Sequence, residues 1–102
     1  RRWLTEYEYR VADGELIVVR YLGDRSRELL RIRLKNILHI GPEKPRGMRL
    51  QRLTFHSRRR RVTYVIYRQD SDGEAGMFFS PSPALLDLIE KKCGAAKPEA
   101  TE

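Results

Sequence analysis

The residues with the clearest chemical potential are cations clustered in the middle of the chain. Four consecutive arginines follow several other cations within a short stretch. The candidate set is Lys44, Arg49, Arg52, Arg58, Arg59, Arg60 and Arg61. Guanidinium groups pair well with phosphate and carboxylate oxygens, because they are planar and carry several N–H donors. The sequence therefore predicts an anion-binding surface, the basic rim, for lipid head groups or nucleic-acid phosphates. A solvated hairpin that keeps sheet edges unpaired is the alternative.

A second set of cations alternates with leucine and isoleucine between residues 26 and 35. This alternation is typical of a strand with one buried face. The cationic side would carry Arg27, Arg31, Arg33 and Lys35. We expect these residues to form the solvent face of the strand, paired across the sheet with Glu15 or with Glu6 and Glu8.

Residues that could catalyse a reaction or bind a metal are few and scattered. His39 and His56 lack the cysteines and carboxylates that complete a metal site. The acidic residues around Gly73 lack the loop pattern and flanking helices of a calcium site. Cys93 lies on the apolar side of a predicted helix, where a thiol behaves as a small hydrophobic group. We therefore predict no enzyme, no catalytic residue, no metal, no cofactor and no small-molecule substrate.

Composition describes one small, basic, folded domain. The chain has 102 residues, of which 40% are hydrophobic and 34% are charged, and its net charge is +7. This balance is unlike that of a disordered chain, and the longest apolar run, residues 16–19, is too short to span a bilayer. The single cysteine excludes an internal disulfide. The positive charge predicts an anionic partner.

Alternating apolar residues, separated by turn signals, predict seven strands. The Asp13-Gly14 and Gly23-Asp24 pairs are typical of two-residue hairpin turns. Asn36 should break or bend the chain after the third strand. The predicted strands cover residues 3–11, 15–22, 26–35, 37–40, 48–57, 62–68 and 74–80. Tyr7 and Tyr9 should face inward, and most other aromatic residues are expected in the core rather than on a base-stacking platform.

The apolar period changes to 3.6 residues after residue 80, which predicts one helix over 81–93. Ser80 or Ser82 would cap it, and Pro81 or Pro83 would occupy its first turn. The expected apolar stripe is Leu85, Leu86, Leu88, Ile89 and Cys93. Gly94 would end the helix, so residues 1–94 form the predicted domain and 95–102 a flexible tail.

Three short motifs resemble the opening of bacterial pleckstrin-homology-like domains found in uncharacterised membrane proteins. These motifs are Tyr7-Glu8-Tyr9, Asp13-Gly14-Glu15-Leu16 and Leu34-Lys35-Asn36-Ile37. The resemblance implies a mainly β fold, a seven-stranded antiparallel barrel capped by one C-terminal helix. It also implies a cytoplasmic domain tethered to the inner face of the membrane by a segment absent from this chain. Arg1, Arg2 and Trp3 would then be membrane-proximal, although Trp3 is equally consistent with packing at a strand edge.

The leading hypothesis is a non-enzymatic binding or interaction module. It would contact an anionic membrane surface or an acidic protein through the basic rim. The first alternative is a nucleic-acid-binding small β-barrel, which needs exposed aromatic residues and arginines on one continuous face. The second is a protein-assembly domain, which a groove between a strand edge and the helix would favour.

Overall fold

The computed structural model describes residues 5–54, 61–70 and 73–93. Within these ranges the protein is mainly β, with seven strands and a C-terminal helix, as the sequence predicts. The elements are β1 (Thr5–Ala12), β2 (Glu15–Leu22), β3 (Arg25–Arg33), a 3₁₀ turn (Leu34–Asn36), β4 (Ile37–Gly41), β5 (Leu50–Arg52), β6 (Thr63–Gln69), β7 (Gly73–Phe79) and α1 (Pro83–Cys93).

The strands form two sheets that share one core. The first sheet is an antiparallel meander in the order β1-β2-β3, and the second has the order β4-β6-β7-β5. The predicted closed barrel is wrong for the described residues, because no strand of one sheet is hydrogen-bonded to a strand of the other. The reason lies at residues 34–36, where the break predicted at Asn36 takes the form of a 3₁₀ turn that directs the chain away from β3, and β4 pairs with β6 instead.

Both tight hairpins of the first sheet form where the turn residues predict them. Asp13 and Gly14 have φ values of 54° and 75°, the double positive φ of a type I′ turn. Gly23 has a φ of 63°, as the first central residue of a type II′ turn requires. These turns fix the register, so that Ala12 pairs with Glu15 and Leu22 with Arg25.

The fifth strand differs most from its prediction. A long strand over 48–57 in a hairpin with the sixth was expected, but β5 has three residues and runs parallel to β7. The chain leaves the strand after Arg52 because Leu53 and Thr54 become buried, with exposed fractions of 0% and 3%. Two hydrogen bonds hold this exit: Leu53 N donates to Phe78 O, and Thr54 Oγ1 donates to Ser80 Oγ. Residues 55–57 of the prediction lie outside the described residues.

A β-bulge in β3 changes which residues face the core. Val18 pairs with Leu30 but the next residue, Val19, pairs with Glu28, so that Leu29 has no partner across the strands. One extra residue reverses the alternation of side chains beyond it. Arg27 therefore lies on the face opposite to Arg31 and Arg33, and the prediction of one continuous cationic side is wrong at Arg27. Lys35 lies in the 3₁₀ turn rather than in the strand.

The helix begins at Pro83, two residues after the predicted start, and uses the second of the two predicted caps. The backbone N–H of Leu85 donates to the Ser82 hydroxyl at 3.1 Å, which makes Ser82 the N-cap before Pro83. Ile89 and Cys93 are buried in the core, and Leu85 and Leu86 pack against it. Leu88 is 37% exposed, so the apolar stripe is narrower than predicted. Gly94 and the tail lie outside the described residues.

Candidate functional site

The outer face of the first sheet is neutralised by its own ion pairs. Arg31 binds Glu15 at 2.7 Å and Glu28 at 2.8 Å, and Arg10 binds Glu8 at 3.3 Å. The predicted pairing of Arg31 with Glu15 is therefore confirmed. Residues Ile17 and Val19 lie on this same face and are nevertheless buried. Ile17 lies between Arg10 and Arg31 in the register of the three strands, and long arginine side chains can cover apolar neighbours while their guanidinium groups stay in water.

These contacts lower the pKa of two carboxyl groups, those of Glu8 and Glu28. The Tyr21 hydroxyl donates a 2.7 Å hydrogen bond to Glu8 and, together with the charge of Arg10, holds the pKa of that carboxyl below its ordinary value of 4.5. Hydrogen bonds from Arg31 lower the pKa of Glu28 in the same way. The pKa of Arg31 is raised in return, first by Glu28 and then by Glu15. The ionised forms of Glu8 and Glu28 are therefore favoured in the folded protein.

The inner face of the same sheet carries unpaired arginines where the sheet extends past the core. We call residues 20–28 the overhang, because β3 is exposed on both faces from Arg25 to Glu28 and none of these residues belongs to the core cluster. Leu16 and Val18 face the core, and the next residues on that face of β2 are Arg20 and Leu22. Directly opposite them on β3 lie Arg27 and Arg25.

The three overhang arginines have no carboxylate within ion-pair distance in the described part of the chain. They line a shallow cavity of about 340 Å³ together with Leu22, which is 43% exposed. All four glutamates of the first sheet lie on the opposite face, and these are Glu6, Glu8, Glu15 and Glu28. Charge is therefore segregated between the two faces of one sheet. Only Asp24, in the turn itself, adds an acidic group to the tip.

The structure brings together part of the predicted basic rim. Arg52 lies beside Phe78 on β5, and Arg61 lies two residues before Thr63, which pairs with Phe79. Both arginines are exposed and lie on either side of the C-terminal end of β7. Lys44 and Arg49 are also exposed, but they precede β5 and do not join this pair. Arg58, Arg59, Arg60, Arg1, Arg2 and Trp3 lie outside the described residues.

The aromatic residues divide between the core and one outer surface. Tyr7, Tyr9, Tyr67 and Phe79 lie in or against the core, as expected. Tyr64 and Phe78 instead face outward from the second sheet, directly opposite each other, with ring centroids 5.7 Å apart. Burial raises the pKa of Tyr67, which lines a 350 Å³ cleft between β3 and the end of β6.

A groove of about 350 Å³ separates the N-terminal half of α1 from the ends of β4 and β6. Pro42, Val62 and Leu86 provide its apolar walls, and Arg61 and Glu90 lie at its polar part. A groove next to a strand edge is the feature expected of the protein-assembly alternative.

The residues considered for metal binding stay apart. His39 is exposed on β4, and Cys93 is buried on α1. Across residues 5–54, 61–70 and 73–93, no three histidine, cysteine or acidic side chains come close enough to hold a metal ion. In the same ranges no helix is long and apolar enough to cross a membrane.

The chain has no match among protein-family models, curated proteins or solved structures. Its function therefore has to be argued from its own surfaces.

Sequence reasoning missed the overhang, because strict alternation placed Arg27 on the wrong face and left Arg20 and Arg25 unnoticed. The signal that could have found it is the Leu29-Leu30 pair, two adjacent apolar residues in an otherwise alternating strand. Such a break is typical of a β-bulge, and counting residues from it assigns Arg25 and Arg27 to the core-facing side of β3, the side that alternation along β2 already assigns to Arg20.

Proposed function

We propose that this protein is a non-enzymatic, pleckstrin-homology-like binding module that docks on a membrane surface rich in anionic lipid. The observation that carries the proposal is the separation of charge on the first sheet. Its outer face neutralises itself, whereas Arg20, Arg25 and Arg27 share the inner face of the overhang and have no carboxylate partner among residues 5–54, 61–70 and 73–93. Arg20 and Arg27 are directly opposite each other, so their mutual repulsion is relieved when an anion lies between them.

The overhang arginines would supply one part of the binding free energy. Each arginine near an anionic membrane surface contributes about 1 kcal/mol, so three contribute roughly 3 kcal/mol, or about a hundredfold in affinity. Salt screens this electrostatic attraction beyond a Debye length, which is about 10 Å at 0.1 M salt. Binding through the overhang should therefore weaken strongly as salt is added.

The position of the overhang fits a membrane-tethered domain. Thr5, the first described residue, pairs with Leu22 beside the hairpin turn. The sequence resemblance implies a membrane segment before residue 1. A tether at that end would bring the overhang close to lipid, with Leu22 as an apolar contact among the arginines.

Sedimentation with phosphatidylcholine vesicles, with and without phosphatidylglycerol, tests the proposal. We expect binding only to the anionic vesicles and a loss of roughly a hundredfold in the Arg20→Ala/Arg25→Ala/Arg27→Ala variant. The control is Lys44→Ala/Arg46→Ala/Arg49→Ala, which removes the same charge from other exposed sites. Equal loss in the two triple variants would mean that net charge, not the overhang, drives binding. Absence of binding to anionic vesicles, with binding to an acidic polypeptide instead, would favour a protein partner.

A further inference from the structure

The outer face of the second sheet carries a row of three planar side chains across three neighbouring strands, with a fourth close to one end. Tyr64 on β6 and Phe78 on β7 are directly opposite each other, with their rings tilted by 43°. Arg52 on β5 lies beside Phe78 in the register of the parallel pair. His39 on β4 is on the same face but is paired with Ile66, two residues along the strand from Tyr64. We call Tyr64, Phe78, Arg52 and His39 the stacking band.

Gly41 makes room for His39 beside the aromatic pair. Gly41 is the residue opposite Tyr64 on β4, so the paired position itself carries no side chain. Nε2 of His39 lies 3.6 Å from the point that a Cβ on Gly41 would occupy, which places the imidazole over Gly41, at the β4 end of the row. His39 and Arg52 are exposed, and the two aromatic rings between them are half-buried.

Apolar side chains lie next to the band on the same face of the sheet. Gly76 lies next to Ile66 and Leu50 on this face. Leu50 and Met48 fill the space over Gly76, since a Cβ on Gly76 would lie 2.5 Å from Leu50 Cδ2 and 3.2 Å from Met48 Sδ. Tyr64 and Phe78 are therefore part of paired strands with apolar neighbours, rather than part of a loop.

The charges around the band suit a polyanion. Arg52, Arg61 and Arg68 are exposed and have no ion-pair partner in the described ranges. Glu74, opposite Arg68, is the acidic residue of the paired positions on this face. Arg61 and Arg68 lie before and after Tyr64 along the chain, and Arg52 lies beside Phe78 on β5, so cations surround the aromatic pair on three sides.

We propose that the stacking band binds a short stretch of single-stranded nucleic acid. Unpaired bases would stack on Tyr64 and Phe78, with His39 and Arg52 offering further planar contacts and Arg61 meeting a phosphate. Aromatic rings and guanidinium planes stack on any base, so the site has little sequence preference. Three inter-strand spacings make the band about 14 Å long, room for roughly two or three bases. A duplex does not fit, because its base faces are already stacked.

Fluorescence anisotropy with a labelled short oligothymidylate at low salt tests this site. We expect Tyr64→Leu to weaken binding about tenfold, because leucine keeps an apolar contact with Phe78 but cannot stack on a base. Tyr21→Leu makes the same change on the outer face of the first sheet and should leave binding unchanged. Arg52→Ala should weaken binding and reduce the slope of log affinity against log salt by about one. Arg10→Ala, which removes an ion-paired arginine, serves as its control.

A second measurement avoids any effect of substitution on folding. Photocrosslinking of the unaltered protein to an oligonucleotide containing 5-iodouracil should modify Tyr64, Phe78 or His39. Crosslinks confined to other surfaces, equal binding of single strands and duplex, or unaltered affinity of Tyr64→Leu would each overturn the site. Binding to anionic vesicles without binding to oligonucleotides would likewise overturn it and leave the proposed function standing. The overhang triple variant should keep its oligonucleotide binding, which separates the two proposals.

Discussion

Tyr9 and Leu53 join the two sheets at an edge where no strand pairing connects them. The Tyr9 hydroxyl donates a 2.6 Å hydrogen bond to the carbonyl oxygen of Leu53 and accepts one from the backbone N–H of Ser80 at 3.3 Å. Its ring also meets Phe79 edge to face, with centroids 5.1 Å apart. A side chain thus makes the connection that backbone hydrogen bonds would make in a closed barrel.

Replacing Tyr9 by phenylalanine should lower the free energy of unfolding by about 1–3 kcal/mol, because the carbonyl of the fully buried Leu53 loses its partner. Urea unfolding followed by circular dichroism measures this change. Tyr21→Phe is the matched control, since it removes a hydroxyl bonded to the accessible Glu8, and its effect should be smaller. Equal effects of the two substitutions would mean that the Tyr9 hydroxyl does not hold the sheets together.

Features of this fold could be predicted from the sequence where the interacting residues are close together along the chain. The Asp13-Gly14 turn and the break at Asn36 were predicted correctly, and Ser82 was one of the two predicted caps, because each feature depends on residues adjacent in sequence. The parallel pairing of β5 with β7 depends on the burial of Leu53 and on the space above Gly76, which no local pattern encodes.

The candidate surfaces also combine local features, which the sequence shows, with long-range ones, which it does not. Runs of arginine were visible in the sequence, but which arginines share one face of a sheet was not. The bulge at Leu29 decides that Arg27 joins Arg20, and the register of β6 and β7 decides that Tyr64 faces Phe78. Lys44 and Arg52 are near each other in sequence yet belong to different surroundings, because the connection before β5 separates them.

A side chain at the second position of the Asp13-Gly14 turn should lower the stability of the protein. Gly14→Ala places a Cβ in open space but at a φ of 75°, so its cost of about 1–2 kcal/mol is conformational. Gly41→Ala is the comparison, since Gly41 has no positive φ and its added Cβ would make only an ordinary contact with His39. Thermal unfolding should show a lower Tm for Gly14→Ala and little change for Gly41→Ala. A similar loss in both variants would contradict the type I′ assignment.

Removing the bulge residue should preserve the pairing of β2 with β3. Leu29 has no partner across the strands, so its deletion leaves Val18 opposite Leu30 and Val19 opposite Glu28. We expect the deletion to cost about as much as Leu29→Ala, roughly 1–2 kcal/mol, for the lost packing of a partly buried side chain. Deleting the paired residue Arg31 instead shifts the register and should be far more destabilising. Amide hydrogen exchange of β2 would reveal the difference, and equal loss of protection in both deletions would argue against the bulge.

Stability should fall at acidic pH partly through Glu8. Its folded-state pKa lies below 4.5, chiefly because Tyr21 donates a hydrogen bond to the carboxylate and Arg10 adds its charge. The unfolded chain therefore takes up this proton first, so the stabilisation is complete above pH 4.5 and is lost as the pH falls through the lowered pKa. Glu8→Gln should flatten the dependence of the unfolding free energy on pH in this window, and Tyr21→Phe should flatten it less. The double variant should resemble Glu8→Gln alone, because both substitutions act on one carboxylate. Additive effects in urea titrations at several pH values would show that Tyr21 acts on stability by another route.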